Sequence, residues 1–257
     1  MPGQWQRVGP MPEPDRPIIC RCRPAGSAVC RTRDRSPWRP SRSVAASIGS
    51  ARGTPGPDEP RSNRFSTMVP GLLCVQHWLD KDAQQRLAAD IDAAPWSSQL
   101  RRRVQHYGHR YDYGSRGVGG APAPPLPGWA TALARRLHED GHFDRQPDHV
   151  IVNEYMPGQG ISAHIDRIPS FGPVVASVSL LSACVMEFTH PQEKTRVPVR
   201  LESGSLCVMT GPARFTWRHA IPARKTDPGP NRRVPRSRRV SVTFRTVLQE
   251  NSTTLTR

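Results

Sequence analysis

Near the C-terminus, Arg239, Ser241, Thr243 and Arg245 alternate with Val240, Val242 and Phe244. A β-strand turns successive side chains to opposite faces, so this run presents a polar face and an apolar face. The apolar side calls for a core beneath it. The polar side sets two guanidinium groups on one inward surface, where they need anions. Arg binds carboxylates through a rigid two-pronged fork, so a small organic diacid suits the pair. The competing reading is a strand with one wet face and solvated cations.

Most of the second half of the chain continues in this manner. Short runs rich in Val, Phe and Ile occupy residues 150–155, 174–181, 184–188, 197–201, 205–210, 214–219 and 239–246, separated by Gly and Pro turns. Residues 72–75 form one earlier apolar strand. Asp80 caps a helix whose Ala83, Leu87, Ala88 and Ile91 share a face. A second helix, over residues 129–140, gathers Ala130, Leu133, Ala134 and Leu137 on one side. Residues 114–128 are crowded with Gly and Pro and read as a loop. The expected class is mainly β (α+β), a jelly roll braced by two N-terminal helices.

Residues 1–66 break the pattern. They hold 11 of the 28 prolines, 12 arginines and five acids, without sustained periodicity. Such a stretch cannot bury enough apolar surface to order itself. Three readings stand: a disordered basic tail, an Arg- and Ser-rich transit-type leader, or a spurious extension upstream of a start at Met68. The expected organisation is a tail over 1–66, one domain over 67–250 and a short tail over 251–257.

Net charge is +16, and all but three of the 37 cationic side chains are arginine. A strongly basic chain favours phosphate-bearing partners, although a GC-rich genome also enriches arginine. Cys184 and Cys207 sit in apolar runs and read as buried thiols, while the Cys20 and Cys22 pair lacks a partner pair at zinc spacing. No apolar run approaches the length of a membrane span. The expectation is a cytoplasmic monomer with no membrane contact.

Three His-x-Asp pairs occur: His138 with Asp140, His142 with Asp144, and His164 with Asp166. The first lies at a helix end, where positions i and i+2 point apart. The second sits in a polar loop without a scaffold. The third follows a strand and the Pro157-Gly158-Gln159-Gly160 turn, where extended backbone aims both side chains one way. His219 is the candidate third ligand, since Phe215, Trp217 and His219 share a face if residues 214–219 are a strand; alone it reads equally as a packed core histidine. Two His and one carboxylate leave three open positions on a metal, the facial arrangement of non-haem Fe(II) oxygenases. Zinc is the rival metal. The paired arginines favour iron with a diacid.

Taken together, Asn153-Glu154-Tyr155, Pro157-Gly158, His164-x-Asp166, His219 and the alternating run Arg239 to Arg245 resemble the AlkB family of Fe(II)/2-oxoglutarate dioxygenases, over residues 69–247. The stretch Pro157 to Asp166 is most similar to the branch that hydroxylates modified tRNA wobble uridines. The resemblance implies a double-stranded β-helix, with Fe(II) held by His164, Asp166 and His219. It places Asn153, Tyr155, Arg239, Ser241, Thr243 and Arg245 around 2-oxoglutarate, and leaves open which arginine takes which carboxylate. It implies that O2 is consumed while 2-oxoglutarate decarboxylates to succinate and a base is hydroxylated or demethylated. The partner is RNA or DNA, single-stranded or with a flipped base. Arg101, Arg102, Arg103, Tyr107, Arg110 and Tyr111 occupy the place of the family's nucleotide-recognition lid, and Tyr107, Tyr111 or Trp217 are candidates to stack on the base. Ser241 stands where the founding bacterial repair enzyme has asparagine, and Ile168 where it has an acid. Rival readings are a protein side-chain hydroxylase or demethylase and a non-catalytic nucleic-acid-binding module.

Overall fold

The computed structural model describes residues 68–112, 117–118 and 123–248, with no side-chain detail from 111 to 122. The expected disordered tail over 1–66 and the last residues of the chain lie outside that range, as do Cys20 and Cys22.

In chain order the elements are β1 (Leu72–Val75), α1 (Lys81–Ala93), β2 (Val104–Tyr107), β3 (Tyr111–Asp112), β4 (Gly117–Val118), α2 (Gly128–Glu139), β5 (His149–Tyr155), β6 (Ile161–His164), β7 (Phe171–Leu180), β8 (Cys184–Thr189), β9 (Arg196–Leu201) and β10 (Leu206–Met209). The one-turn helix α3 (Gly211–Phe215), β11 (Arg218–Ile221), β12 (Thr226–Asp227), β13 (Val234–Pro235) and β14 (Arg239–Val247) complete it. A six-stranded sheet in the order β1-β10-β7-β14-β5-β2 faces a four-stranded sheet in the order β6-β11-β8-β9, and the named pairs of both sheets are antiparallel. Mainly β, with few helices, the arrangement is that of a jelly roll.

Strand β14 runs through the middle of the larger sheet, between β7 and β5. Val240, Val242 and Phe244 pack with Leu87 and Ile91 of α1 and Leu133 and Leu137 of α2 in one apolar cluster. The other face of the sheet meets the smaller sheet. There Val175, Cys207 and Met209 join Met186, Phe188, Val199 and Ile221 in a second cluster. The polar positions of β14 therefore look into the space between the sheets. Asp80 caps α1 by accepting the Ala83 amide at 2.7 Å, as its sequence position predicts.

Two local expectations fail. Residues 214–219 are not one strand: Pro212 near the start of α3 pre-sets a helical φ, the turn runs to Phe215, and β11 begins at Arg218. Phe215 is exposed, not on the His219 face. Residues 104–107, within the stretch expected at the lid, form an edge strand, and the expected loop over 114–128 contains β4, paired to β3.

Candidate active site

Strand β5 enters the Pro157–Gly160 turn and returns as β6. Gly158 sits at φ +90, where L side chains are strained, and a Cβ on Gly160 would strike the Ile221 carbonyl. The turn thus seats β6 against β11, and His164 lies opposite His219 in their register. Asp166 follows two residues on, buried.

One ligand atom from each of His164, Asp166 and His219 lies within 4.8 Å of the others. His164 Nε2 is 3.4 Å and His219 Nε2 4.0 Å from Asp166 Oδ1. His164 Nδ1 lies 2.7 Å from the Ser162 carbonyl, which orients the ring so that Nε2 faces the cluster. Burial pushes His219 down to about 4, which keeps its ring neutral as a metal ligand must be. Burial alone would raise the Asp166 carboxyl, but the Arg245 guanidinium and His164 outweigh it and hold it well below the usual range. Arg245 Nε donates to Asp166 Oδ2 at 2.8 Å, leaving Oδ1 to face the histidines. Two imidazole nitrogens and a carboxylate oxygen are a donor set that fits Fe(II). Among the described residues no other His-x-Asp pair joins a metal-capable group; His138 Nδ1 donates to the Phe143 carbonyl, and Asp140 accepts from Trp78 Nε1 at 3.0 Å.

Behind the cluster, a small cavity of about 50 Å³ reaches Asn153, Tyr155, Ser177, Ser241 and Thr243. Arg239 is only 2% exposed, lies 5.6 Å from the Tyr155 ring and donates Nη2 to Ser179 Oγ at 2.9 Å. Its Nε and Nη1 are buried with no protein partner. Two orphaned charged donors in a dry place fit a carboxylate brought by a ligand. Ser177 and Ser241 hydroxyls bond each other at 2.8 Å across β7 and β14.

In front of the cluster a second cavity, of about 270 Å³, opens outward. Its apolar wall is Leu100, Ile151, Ile161, Ile165 and Phe171, and its cations are Arg102, Arg167 and Arg245. Asp166 is the one carboxylate on its lining. His164 and Asp166 border both cavities, so the cluster stands between them.

The expected nucleotide-binding group divides. Arg102 lines the front cavity and donates Nε to Asn153 Oδ1 at 2.9 Å. Arg103 is held by Glu154 at 2.6 and 2.7 Å and lies over the Trp96 ring at 5.0 Å. Arg110 donates to Gln99 Oε1 at 3.3 Å, and Arg101 is exposed. Tyr107 is buried edge-on against Trp129 and donates its hydroxyl to Gln105 Oε1 at 3.1 Å, so it has no face for a base. Trp217 is likewise buried, between the sheets and against His190. The Tyr111 side chain lies outside the described residues. Sequence reasoning did not single out Ile165, inside the His-x-Asp pair, Arg167, in the loop after it, or Phe171, at the start of β7, because no periodic pattern links these positions.

The description "2OG-Fe(II) oxygenase superfamily" covers residues 71–245. Mouse tRNA (carboxymethyluridine(34)-5-O)-methyltransferase ALKBH8 is 36% identical over 177 residues, 63% of this chain, which spans 26% of that relative's length. Protein L905 of Acanthamoeba polyphaga mimivirus is 32% identical over 192 residues, covering 70% of this chain and 86% of that one. Mouse alkB homolog 7, mitochondrial, is 32% identical over 178 residues, with 66% and 76% covered. The structure of OsALKBH1 shares the fold, with a TM-score of 0.54 at 22% identity over 69% of this chain and 97% of that one. With a His-Asp-His group that could hold a metal beside two cavities, the chain belongs to the 2OG-Fe(II) oxygenase superfamily and, within it, to the AlkB dioxygenases.

Proposed function

We propose that this chain oxidises a modified base in nucleic acid, RNA or DNA, with His164, Asp166 and His219 holding iron between a co-substrate pocket and a base pocket. The observation that carries the reading is the cationic front cavity bordering the triad. Iron, with 2-oxoglutarate and O2, supplies oxidation of a C–H bond while the co-substrate leaves as succinate and CO2.

The residues divide the remaining work. Arg239, with its two orphaned donors, grips the far carboxylate of 2-oxoglutarate, and Asn153, Tyr155, Ser241 and Thr243 shape that pocket. Arg245 steadies Asp166 and offers its remaining donors to the keto acid end. Leu100, Ile165 and Phe171 exclude water around the target carbon, and Arg102 and Arg167 orient the base. The apolar cluster of α1 and α2 braces β14, so both arginines project from a rigid strand.

Three arginines and no unpaired carboxylate line this cavity, so it disfavours bases made cationic by N-methylation. It favours neutral bases rich in carbonyl acceptors, such as uracil types. The mouse relative is named for a carboxymethyluridine, and an Arabidopsis thaliana relative is called an alkylated DNA repair protein, so both substrate classes belong in one test. We place the protein in the cytoplasm as a monomer; Cys74, Cys184 and Cys207 are free and buried, as suits a reducing compartment. Among the described residues no helix is long and apolar enough to cross a membrane.

The test incubates the chain with iron, 2-oxoglutarate and either bulk tRNA or alkylated DNA, then weighs the nucleosides. A uridine-type nucleoside gaining one oxygen atom is expected. Loss of methyl from cationic bases alone would overturn the charge argument. Succinate formed with every nucleoside unchanged would overturn the nucleic-acid reading and favour a protein side chain.

A further inference from the structure

Arg214 is one of the largest fully buried side chains, 2% exposed, and among the described residues no acid forms an ion pair with it. Its guanidinium donates to three main-chain carbonyls instead: Nη1 to Asp166 at 2.7 Å, Nη2 to Phe171 at 3.2 Å and Nε to Gly172 at 3.2 Å. These acceptors bracket the loop that joins β6 to β7. At one end of the loop is the carboxylate of the triad; at the other is Phe171, a wall of the front cavity. Burying an arginine without a carboxylate is costly, and burial lowers its pKa. A site kept at that cost has work to do.

We propose that Arg214 is a positioning residue that clamps the 166–172 loop shut and so sets the Asp166 carboxylate toward His164 and His219. The inference rests on reading those three residues as the metal site. Asp166 is then held twice: its carbonyl by Arg214 from α3, and its Oδ2 by Arg245 from β14. One oxygen is left free for metal. The same clamp ties the position of Phe171 to that of Asp166, so base pocket and metal site move together. The fork of Arg reaches carbonyls in three directions at fixed angles; the ammonium of Lys is a single point and cannot satisfy them at once. Phe215 reinforces the clamp from the solvent side, its ring 5.0 Å from the guanidinium carbon.

The test is titration of the full metal-free chain with cobalt(II) alone, read by its visible absorbance. Arg214→Lys should bind cobalt at least roughly tenfold more weakly, the usual effect of losing support behind a ligand. Arg236→Lys is the control. Arg236 is 6% exposed at its side chain and binds Asp227 outside the triad, so that variant should lose thermal stability yet keep wild-type cobalt affinity. Wild-type affinity in folded Arg214→Lys overturns the proposal, and so does an equal loss in both variants. If Arg214→Lys fails to fold, Phe215→Ser decides. This exposed change should weaken cobalt binding roughly two- to fivefold by removing the stack, and an unchanged affinity overturns the clamp. Absence of cobalt binding by the wild-type chain would instead strike at the triad.

Discussion

Arg239 offers a sharp test, because its replacement should weaken a ligand without weakening the fold. It is buried in the core of the larger sheet, with Nε and Nη1 facing no protein acceptor. Hydrogen bonds to charged groups contribute about 1.5–3 kcal/mol each, so a carboxylate filling both donors gains roughly 3–6 kcal/mol. Arg239→Met removes that gain and should weaken 2-oxoglutarate binding by roughly a hundredfold to ten-thousandfold. In the ligand-free chain the same change removes two unsatisfied donors that each cost about 1–3 kcal/mol, at the loss of one bond to Ser179 Oγ. Methionine fills irregular apolar space well, so ligand-free stability should hold or rise. Calorimetry of 2-oxoglutarate into manganese-loaded protein gives the first quantity and urea unfolding of the ligand-free chain the second. A change in affinity of less than about tenfold would refute the role. A large loss of ligand-free stability would make Arg239 a structural cation.

Asp166→Ala should abolish iron-dependent turnover, whereas Asp140→Ala, which loses the Trp78 and Arg136 contacts, should keep turnover while losing about 1–2 kcal/mol of stability by urea titration. Tyr107→Phe should leave oligonucleotide binding unchanged, since the ring is buried, but Arg102→Ala should lower kcat/KM for the nucleic-acid substrate about tenfold without altering the melting temperature. Burial alone would raise the Asp227 carboxyl, but Arg236 and Arg224 outweigh it and hold it below its ordinary value. Its stabilisation is therefore complete above the unfolded carboxylate range, near pH 4, and fades as pH falls through the folded value. Asp227→Asn should cost about 3 kcal/mol at neutral pH, with the gap closing in acid; a pH-independent gap in urea titrations would refute this.

What could be read beforehand follows from where the signals live. β14 was legible because a strand buried on both faces, one apolar and one polar, must alternate strictly, and Arg239 to Arg245 does. α1 and α2 were legible because their buried residues repeat at helical spacing. β2 was hidden because its neighbours Arg102 and Arg103 look solvated, while Gln105 is buried only by virtue of bonds to α1 carbonyls. The run 214–219 reads as a strand by alternation, and Pro212 decided otherwise. His164 and Asp166 were accessible through spacing, whereas His219 was legible only through a strand that the structure breaks before Arg218, and the three carbonyls around Arg214 left no trace in the sequence. The Arg103–Glu154–Arg238 contacts are similarly tertiary, and they neutralise cations that look free for phosphate in the sequence.

The most direct measurement is succinate formed from 2-oxoglutarate by the full chain, with and without tRNA, in iron and in zinc. Succinate that requires iron, rises with tRNA in step with oxygen gained by a nucleoside, and vanishes in Asp166→Ala is the expected result. Equal turnover by a folded Asp166→Ala variant, or none by the wild-type chain in iron, would contradict a His164–Asp166–His219 iron centre.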